Sequence, residues 1–85
     1  MADVKVGKIT HYYDKIGVAV LELTDESLIV GDTIRISGHG NEFTQSVGSL
    51  QIEHEQIQTA KKGDMVGLKV DQPVKEGDEV YKVVA

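Results

Sequence analysis

Two adjacent tyrosines flanked by basic side chains are the first place where this sequence could do chemistry. Tyr12 and Tyr13 follow Lys8 and His11 and precede Lys15. Aromatic rings beside cations can hold single-stranded RNA, because bases stack on the rings while the cations meet the phosphates. A second interpretation needs no ligand: one tyrosine faces the core and the other covers the rim of a barrel. The cluster is therefore a candidate RNA-binding site with a structural alternative.

The triplet Glu53-His54-Glu55 is a second candidate, because carboxylates and imidazoles are metal ligands. On an extended strand, successive side chains point to opposite faces, so His54 would point away from both glutamates. A solvated polar strand end is the favoured interpretation, and a metal site would also need His11 or His39. We therefore expect a protein that needs no metal to fold.

Other catalytic patterns are missing from the sequence. The loop Gly38-His39-Gly40-Asn41 lacks the Gly-x-x-x-x-Gly-Lys-Ser/Thr spacing of a phosphate loop and is interpreted as a flexible turn. The carboxylates lie mostly in turns beside Gly or Lys, where turn chemistry explains them, and no pair stands out as an acid/base couple. We expect no enzymatic activity, no cofactor and no bound nucleotide.

The elements that position these residues are predicted to be strands. The pairs Gly31-Asp32, Gly63-Asp64 and Gly77-Asp78 each precede alternating apolar residues. Because Gly adopts positive φ and Asp hydrogen-bonds to nearby backbone, each pair predicts a turn that starts a strand. The segment Val18–Leu23 is almost entirely apolar, which is typical of a strand covered on both faces. Gly7 stands where the alternation of the first strand breaks, which predicts a bulge.

The predicted fold class is all-β, a six-stranded closed barrel in one domain spanning residues 1–85. Six strands bent by glycines curl into a barrel, which removes exposed edges. The core must be aliphatic, because the chain has no Trp and one Phe. The predicted core residues are Val6, Ile9, Ala19, Leu21, Leu23, Ile34, Ile36, Leu50, Ile52, Val66, Leu68 and Val84.

Composition narrows the function classes. A net charge of −5 argues against non-specific binding to phosphate backbones. The absence of cysteine excludes disulfides and thiolate metal sites. The sequence starts without an apolar leader and contains no apolar run of the ~20 residues that span a membrane. We expect a cytoplasmic monomer that does not contact membranes.

Two segments carry a resemblance to a known family. The segment Val30-Gly31-Asp32-Thr33-Ile34-Arg35-Ile36 resembles the Val-Gly-Asp and alternating aliphatics of the second domain of translation elongation factors. The segment from Val47 to Leu68, ending in Gly63-Asp64-Met65-Val66-Gly67-Leu68, is similar to the same domain without a gap. The chain most resembles the small stand-alone translation elongation factor-like proteins, and it is also similar to the C-terminal barrel of collagenase-like peptidases.

This resemblance implies a translation-protein barrel and a non-catalytic binding module that contacts ribosomal RNA, tRNA or a translation protein. In elongation factor Tu, an acidic-x-His-Arg run of this domain helps hold the aminoacyl end of tRNA. The matching positions here are Gln51, Glu53 and His54, so the charge pattern differs. They join the tyrosine cluster as candidate partner-binding residues. The alternative is a protein-interaction barrel that no longer binds RNA.

Overall fold

The computed structural model describes residues 2–38, 40–53 and 55–84, and in these ranges every regular element is a β-strand. Strands form because β-branched and other apolar residues alternate with polar ones between glycine-containing turns. The strands are β1 (Ala2–Tyr13), β2 (Val18–Leu23), β3 (Leu28–Ile29), β4 (Thr33–Gly38), β5 (Asn41–Ser46), β6 (Leu50–Ile52), β7 (Glu55–Ile57), β8 (Thr59–Ala60), β9 (Met65–Lys69) and β10 (Glu79–Val84).

The strands form one large and one small antiparallel sheet. The large sheet has the order β5-β4-β10-β1-β2-β9-β6-β7, and β3 pairs with β8 in the small sheet. The first and last strands pair in the middle of the large sheet, with Ala2 opposite Val84. Strands β5 and β6, near the two ends of this order, are separated along the chain by residues 47–49 alone.

The all-β prediction is confirmed, while the number of strands was wrong. The described ranges contain ten strands rather than six. The difference lies mainly in three segments of two or three residues, β3, β7 and β8, which are not among the six predicted strands. The ladder pairing ends at β5 and β7 and forms no closed ring. Such short pairings depend on partners distant in sequence, which local periodicity does not reveal.

The predicted core is largely present. Ten of the predicted residues are buried: Val6, Ile9, Ala19, Leu21, Leu23, Ile34, Ile36, Leu50, Val66 and Leu68. Ile52 was placed too deep, because it is half-buried and packs against the core from the last position of β6. The side chain of Val84 lies outside the described part of the molecule. The core also includes Leu28, Val47, Ala60, Val70, Val74 and Val80.

The three Gly-Asp pairs form turns of the same geometry. Gly31, Gly63 and Gly77 have φ of 100°, 95° and 91°. In each turn, the Asp amide donates to the carbonyl three residues earlier, over 2.9–3.1 Å. The Asp carboxylate in return accepts from the amide of that same earlier residue at 3.0 Å. The predicted turns are confirmed.

Each of these turns also pairs with one buried aliphatic residue on another segment. The Gly amide donates to the carbonyl of that residue, whose own amide donates to the Asp carbonyl. The residues bound in this way by the first, second and third turn are Val47, Leu23 and Ile9. All three are at most 1% exposed, so each turn is fixed onto the core.

Candidate functional site

The tight turn between β1 and β2 carries the most exposed apolar side chain among the described residues. The carbonyl of Tyr13 accepts from the amides of Ile16 and Gly17, at 3.3 and 2.9 Å. Gly17 adopts a φ of 67°, which suits glycine. This turn holds Ile16 63% exposed and Tyr13 49% exposed.

Strand pairing extends this apolar surface across the outer face of the sheet. Tyr13 lies opposite Val18. Val20 lies opposite Gly67, which also pairs with Gln51. Residues directly opposite in an antiparallel pair share a face, so these side chains line one surface.

A groove of about 500 Å³ occupies this surface. Its lining is mainly apolar, with one carboxylate and one amide at the β6 side. The lining residues are Tyr13, Ile16, Val18, Val20, Gln51, Glu53 and Gly67. We refer to this set as the outer groove.

Gly67 forms part of the wall of the outer groove although nothing nearby requires a glycine there. Its φ lies outside the left-handed region. A Cβ added at Gly67 would meet its nearest atom, Cγ1 of Val18, at 3.6 Å, an ordinary contact. Glycine in a strand interior weakens the strand and often marks a close approach by another group.

Glu53, at the β6 side of the groove, has the backbone conformation that favours glycine although it is not a glycine. It is the only non-glycine residue of the described ranges with positive φ, at 52°. Glycine or asparagine adopts this conformation at lower cost. Within the described ranges, no cation lies within ion-pair distance of the Glu53 carboxylate.

The two tyrosines of the proposed RNA-binding cluster have different surroundings in the structure. Tyr12 packs against the core, whereas Tyr13 points outward with its ring centroid 4.4 Å from that of His11. Nδ1 of His11 lies 3.7 Å from a carboxylate oxygen of Glu76, so an acid accompanies this imidazole. Lys15 is exposed and lies in the turn next to Ile16.

Of the remaining candidate residues from the sequence analysis that the structure describes, only Gln51 and Glu53 line the outer groove. Lys8 is exposed. In the strand register it lies opposite Glu22 on β2 and Glu79 on β10, and it does not line the groove. Gln51 and Glu53 meet Tyr13 in the outer groove, a juxtaposition that the sequence analysis did not foresee. His54 and His39 lie outside the described residues.

The sequence analysis did not identify four residues that line the outer groove: Ile16, Val18, Val20 and Gly67. The available signal was β2, which the sequence predicts to be covered on both faces. Its inner residues, Ala19, Leu21 and Leu23, are fully buried, but Val18 and Val20 remain partly exposed in the groove. Within the described part of the chain, only one face of this strand is fully buried.

A charged network covers the outer face of the sheet around β4 and β10, away from the outer groove. Arg35 donates from Nε to Oδ2 of Asp3 at 2.6 Å and from Nη1 to Oε2 of Glu42 at 2.5 Å. Its guanidinium lies 4.7 Å from the ring centre of Tyr81. The hydrogen bonds to Asp3 and then Glu42 raise the pKa of Arg35 above its usual value. This half of the face therefore satisfies its charges internally.

Tyr81 belongs to the same network. Its hydroxyl donates to Oε2 of Glu79 at 2.7 Å. This hydrogen bond is the main cause that raises the pKa of Tyr81 above its usual value of 10.0. Nζ of Lys5 lies 3.7 Å from the same carboxylate oxygen.

Within residues 2–38, 40–53 and 55–84, no three His, Asp or Glu side chains come together as a metal-binding group. The same ranges contain no helix long and apolar enough to cross a membrane. The outer groove offers apolar contact together with the Glu53 carboxylate, the Gln51 amide and the Tyr13 hydroxyl.

Comparison with known proteins directs attention to peptidases. No protein-family model matches the chain. The chain is 40% identical over 79 residues to an uncharacterized protease of Methanocaldococcus jannaschii, a match that covers 92% of this chain and 19% of the protease. A collagenase of Porphyromonas gingivalis is 31% identical over 78 residues, covering 91% of this chain and 22% of the collagenase. The chain spans about a fifth of the length of these curated relatives.

These matches overturn the assignment to translation elongation factor-like proteins and the translation role it implied. The sequence matches fall on proteases and collagenases, the group named second in the sequence analysis. The shared Gly-Asp turns explain the error, because they are a requirement of the fold and carry no ligand specificity.

A solved structure agrees with the sequence matches. The C-terminal domain of a Geobacillus thermoleovorans protein assigned to the U32 peptidases superposes with a TM-score of 0.86 at 20% identity. The alignment covers 96% of this chain and 93% of that domain. The selenomethionine form of that domain aligns with a TM-score of 0.84. The chain therefore has the fold of this peptidase C-terminal domain.

Proposed function

We propose that this chain is a non-catalytic accessory domain that works with the catalytic region of a U32-type peptidase. The observation that carries the proposal is the 40% identity to a segment making up 19% of the Methanocaldococcus jannaschii protease. A match over almost the whole chain but a fifth of the relative is what a separable domain produces. The fold shared with a peptidase C-terminal domain supports the same conclusion.

The residues of the chain support a binding role in preference to a catalytic one. General acid–base or nucleophilic catalysis requires two groups within hydrogen-bond reach of each other and of a substrate. The outer groove offers one carboxylate, Glu53, among mainly apolar neighbours. The Arg35 network has its charges paired on an exposed sheet face rather than in a cleft.

The proposal includes a barrel-like closure of the large sheet. The side chain of Gln45 on β5 donates to the carbonyl of Lys69 at 2.8 Å and accepts from the amide of Asp71 at 2.7 Å. Lys69 ends β9, so one amide side chain links β5, at one end of the sheet order, to the end of a strand that lies near the other end. We infer that the sheet closes as a barrel through this side chain in place of a ladder of backbone bonds.

Replacement of a domain in the relative tests the accessory role. In the Methanocaldococcus jannaschii protease, the matching 79-residue segment is exchanged for this chain, and a second variant lacks the segment. We expect the chimera to retain the thermal unfolding midpoint and casein hydrolysis of the unmodified protease, and the deletion variant to lose both. A chimera that behaves like the deletion, or casein hydrolysis by the 85-residue chain alone, would contradict the proposal.

A further inference from the structure

We propose that the outer groove is the surface by which this domain docks to its peptidase region. Its occupant is a segment of that region carrying one large apolar side chain next to a lysine or arginine. This inference rests on the proposed accessory function and adds the site and the chemistry of the contact.

The first argument is the composition of β2. Apolar residues on both faces of a strand are typical of a strand that is covered on both faces. The inner face of β2 is buried, while Val18 and Val20 on its outer face line the groove together with Ile16 and Tyr13. An apolar surface on one half of the sheet, beside a charged and internally paired half around Arg35, marks the apolar half as a contact surface.

The second argument is that two residues of the groove are locally unfavourable in opposite ways. Gly67 stands within a strand where a side chain would fit and add stability. Glu53 stands in a left-handed turn position where glycine would be less strained. Residues that contradict their local structure concentrate at functional sites. Both of these residues line the same groove.

The missing side chain of Gly67 and the charge of Glu53 define the ligand. A groove of about 500 Å³ beside a glycine admits a large apolar side chain. A cationic neighbour of that side chain would pair with the Glu53 carboxylate, which has no ion-pair partner within the described ranges. The chain carries a net charge of −5, which also favours a basic partner segment.

The size of the surface favours a tethered region of a peptidase over a second copy of this chain. A stable dimer buries roughly 800 Å² on each partner, and a few apolar side chains around one groove supply much less. Tethering replaces a bimolecular encounter with an intramolecular one, so a small contact suffices. In the curated relatives, about four-fifths of each relative's own sequence lies outside the matched segment, and this remainder could supply the tethered region.

Titration of the 85-residue chain with acetyl-Gly-Phe-Lys-Gly-amide tests the chemistry of the site. We expect amide shifts in the NMR spectrum centred on Val20, Gln51 and Gly67. Gly67→Val should fill the groove, weaken this binding by about tenfold or more and leave the melting temperature unchanged or higher. Gly67→Ala is a smaller change in the same direction. Gly48→Ala, at a site with nothing within 4 Å of the added Cβ, is the control. Shifts elsewhere, or none at millimolar peptide, would overturn the proposal.

The charge component is tested separately. Glu53→Gln should weaken binding of the lysine-containing peptide by about two- to fivefold at low salt. It should leave acetyl-Gly-Phe-Gly-Gly-amide unaffected, because that peptide presents no cation. Equal effects on both peptides would refute the pairing with Glu53.

The occupant is tested in the chimeric protease. Hydroxyl-radical labelling of Tyr13 and Ile16 should fall in the chimera relative to the isolated chain, and Gly67→Val should restore it. If the chimera is stable and active while both side chains stay fully labelled, the docking proposal fails and the accessory function stands. Labelling that falls only when a separate peptide is added would make the groove a site for substrate peptides and overturn the proposed occupant.

Discussion

Gly7 and Gly67 show two opposite reasons for placing glycine in a strand. A Cβ on Gly7 would lie 1.9 Å from the carbonyl oxygen of Glu22, so the pairing of β1 with β2 forbids a side chain there. The register of β1 against β10 shifts between Lys5 and Gly7, which confirms the predicted bulge. At Gly67 the space exists and stays empty. The first glycine serves the fold, and the second is available for function.

Gly7→Ala should therefore be strongly destabilising. The atom in the way belongs to the backbone, so β1 and β2 must move apart, at a cost of about 1–3 kcal/mol or more. Urea unfolding monitored by circular dichroism measures the loss. Gly48→Ala, where the added Cβ meets nothing within 4 Å, is the matched control and should be close to neutral. Equal changes in the free energy of unfolding of both variants would refute the steric explanation for Gly7.

Tyr81 should titrate above the ordinary tyrosine value. The hydrogen bond to Glu79 favours the neutral phenol, so the folded pKa is raised above 10.0. A raised folded pKa contributes stability below the unfolded pKa, and this contribution is lost as pH rises through the folded value. The alkaline limb of the stability curve is where this effect appears.

NMR titration of the tyrosine Cζ signals measures this pKa. Glu79→Gln should lower the pKa of Tyr81 toward 10.0, because the phenol then donates its hydrogen bond to a neutral amide instead of a carboxylate. An unchanged Tyr81 titration in the variant would show that the hydrogen bond does not form in solution.

The Gly-Asp turn is the recurring element of this molecule. Its local part follows from residue type, because Gly supplies the positive φ and Asp supplies the acceptor. Its non-local part, the pairing with Ile9, Leu23 or Val47, holds the start of the next strand against the core. The turns thus set where β4, β9 and β10 begin.

Asp64→Ala should cost about 0.5–1.5 kcal/mol, because the amide of Lys61 loses its acceptor. Asp64→Asn keeps an acceptor oxygen and should retain most of that stability. Urea unfolding of the two variants and the unmodified chain measures the difference. If asparagine were as damaging as alanine, the negative charge would matter more than the hydrogen bond.

Sequence reasoning succeeded where the deciding chemistry was local. The three turns, the Gly7 bulge and most of the aliphatic core follow from residue type and alternation. The short strands and the outer groove do not, because strand pairing decides which residues share a face. Tyr13, Gln51 and Glu53 were proposed in separate contexts, and the pairing that brings Gly67 between β2 and β6 unites them. The family assignment failed because it relied on the turns that the fold requires.

At the scale of the whole molecule, Gln45 connects β5 to the segment that follows β9. It is 6% exposed and makes hydrogen bonds to both Lys69 and Asp71. Both hydrogen bonds are part-buried, and a hydrogen bond of this kind contributes about 0.5–1.5 kcal/mol to stability. Gln45→Met, similar in length but without polar atoms, should therefore lower the free energy of unfolding by about that amount.

Hydrogen exchange locates the effect of this change. The amide of Asp71 should exchange faster in Gln45→Met, because its acceptor is lost. Thr44→Val, on the exposed face of the same strand, is the control and should change neither quantity. Unchanged exchange at Asp71 would mean that the hydrogen bond from this amide to Gln45 does not hold the two segments together in solution.

The pairing of β1 with β10 determines how this domain responds to mechanical force. Because Ala2 lies opposite Val84, a pull applied at the two ends loads the first rung of that ladder alone. The hydrogen bonds then break one after another, as in unzipping, instead of resisting together in shear. Single-molecule force spectroscopy should record a low unfolding force when the domain is pulled through these ends. Pulling through handles at Tyr13 and Val84 should require more force, because it loads β1 and β10 along their length.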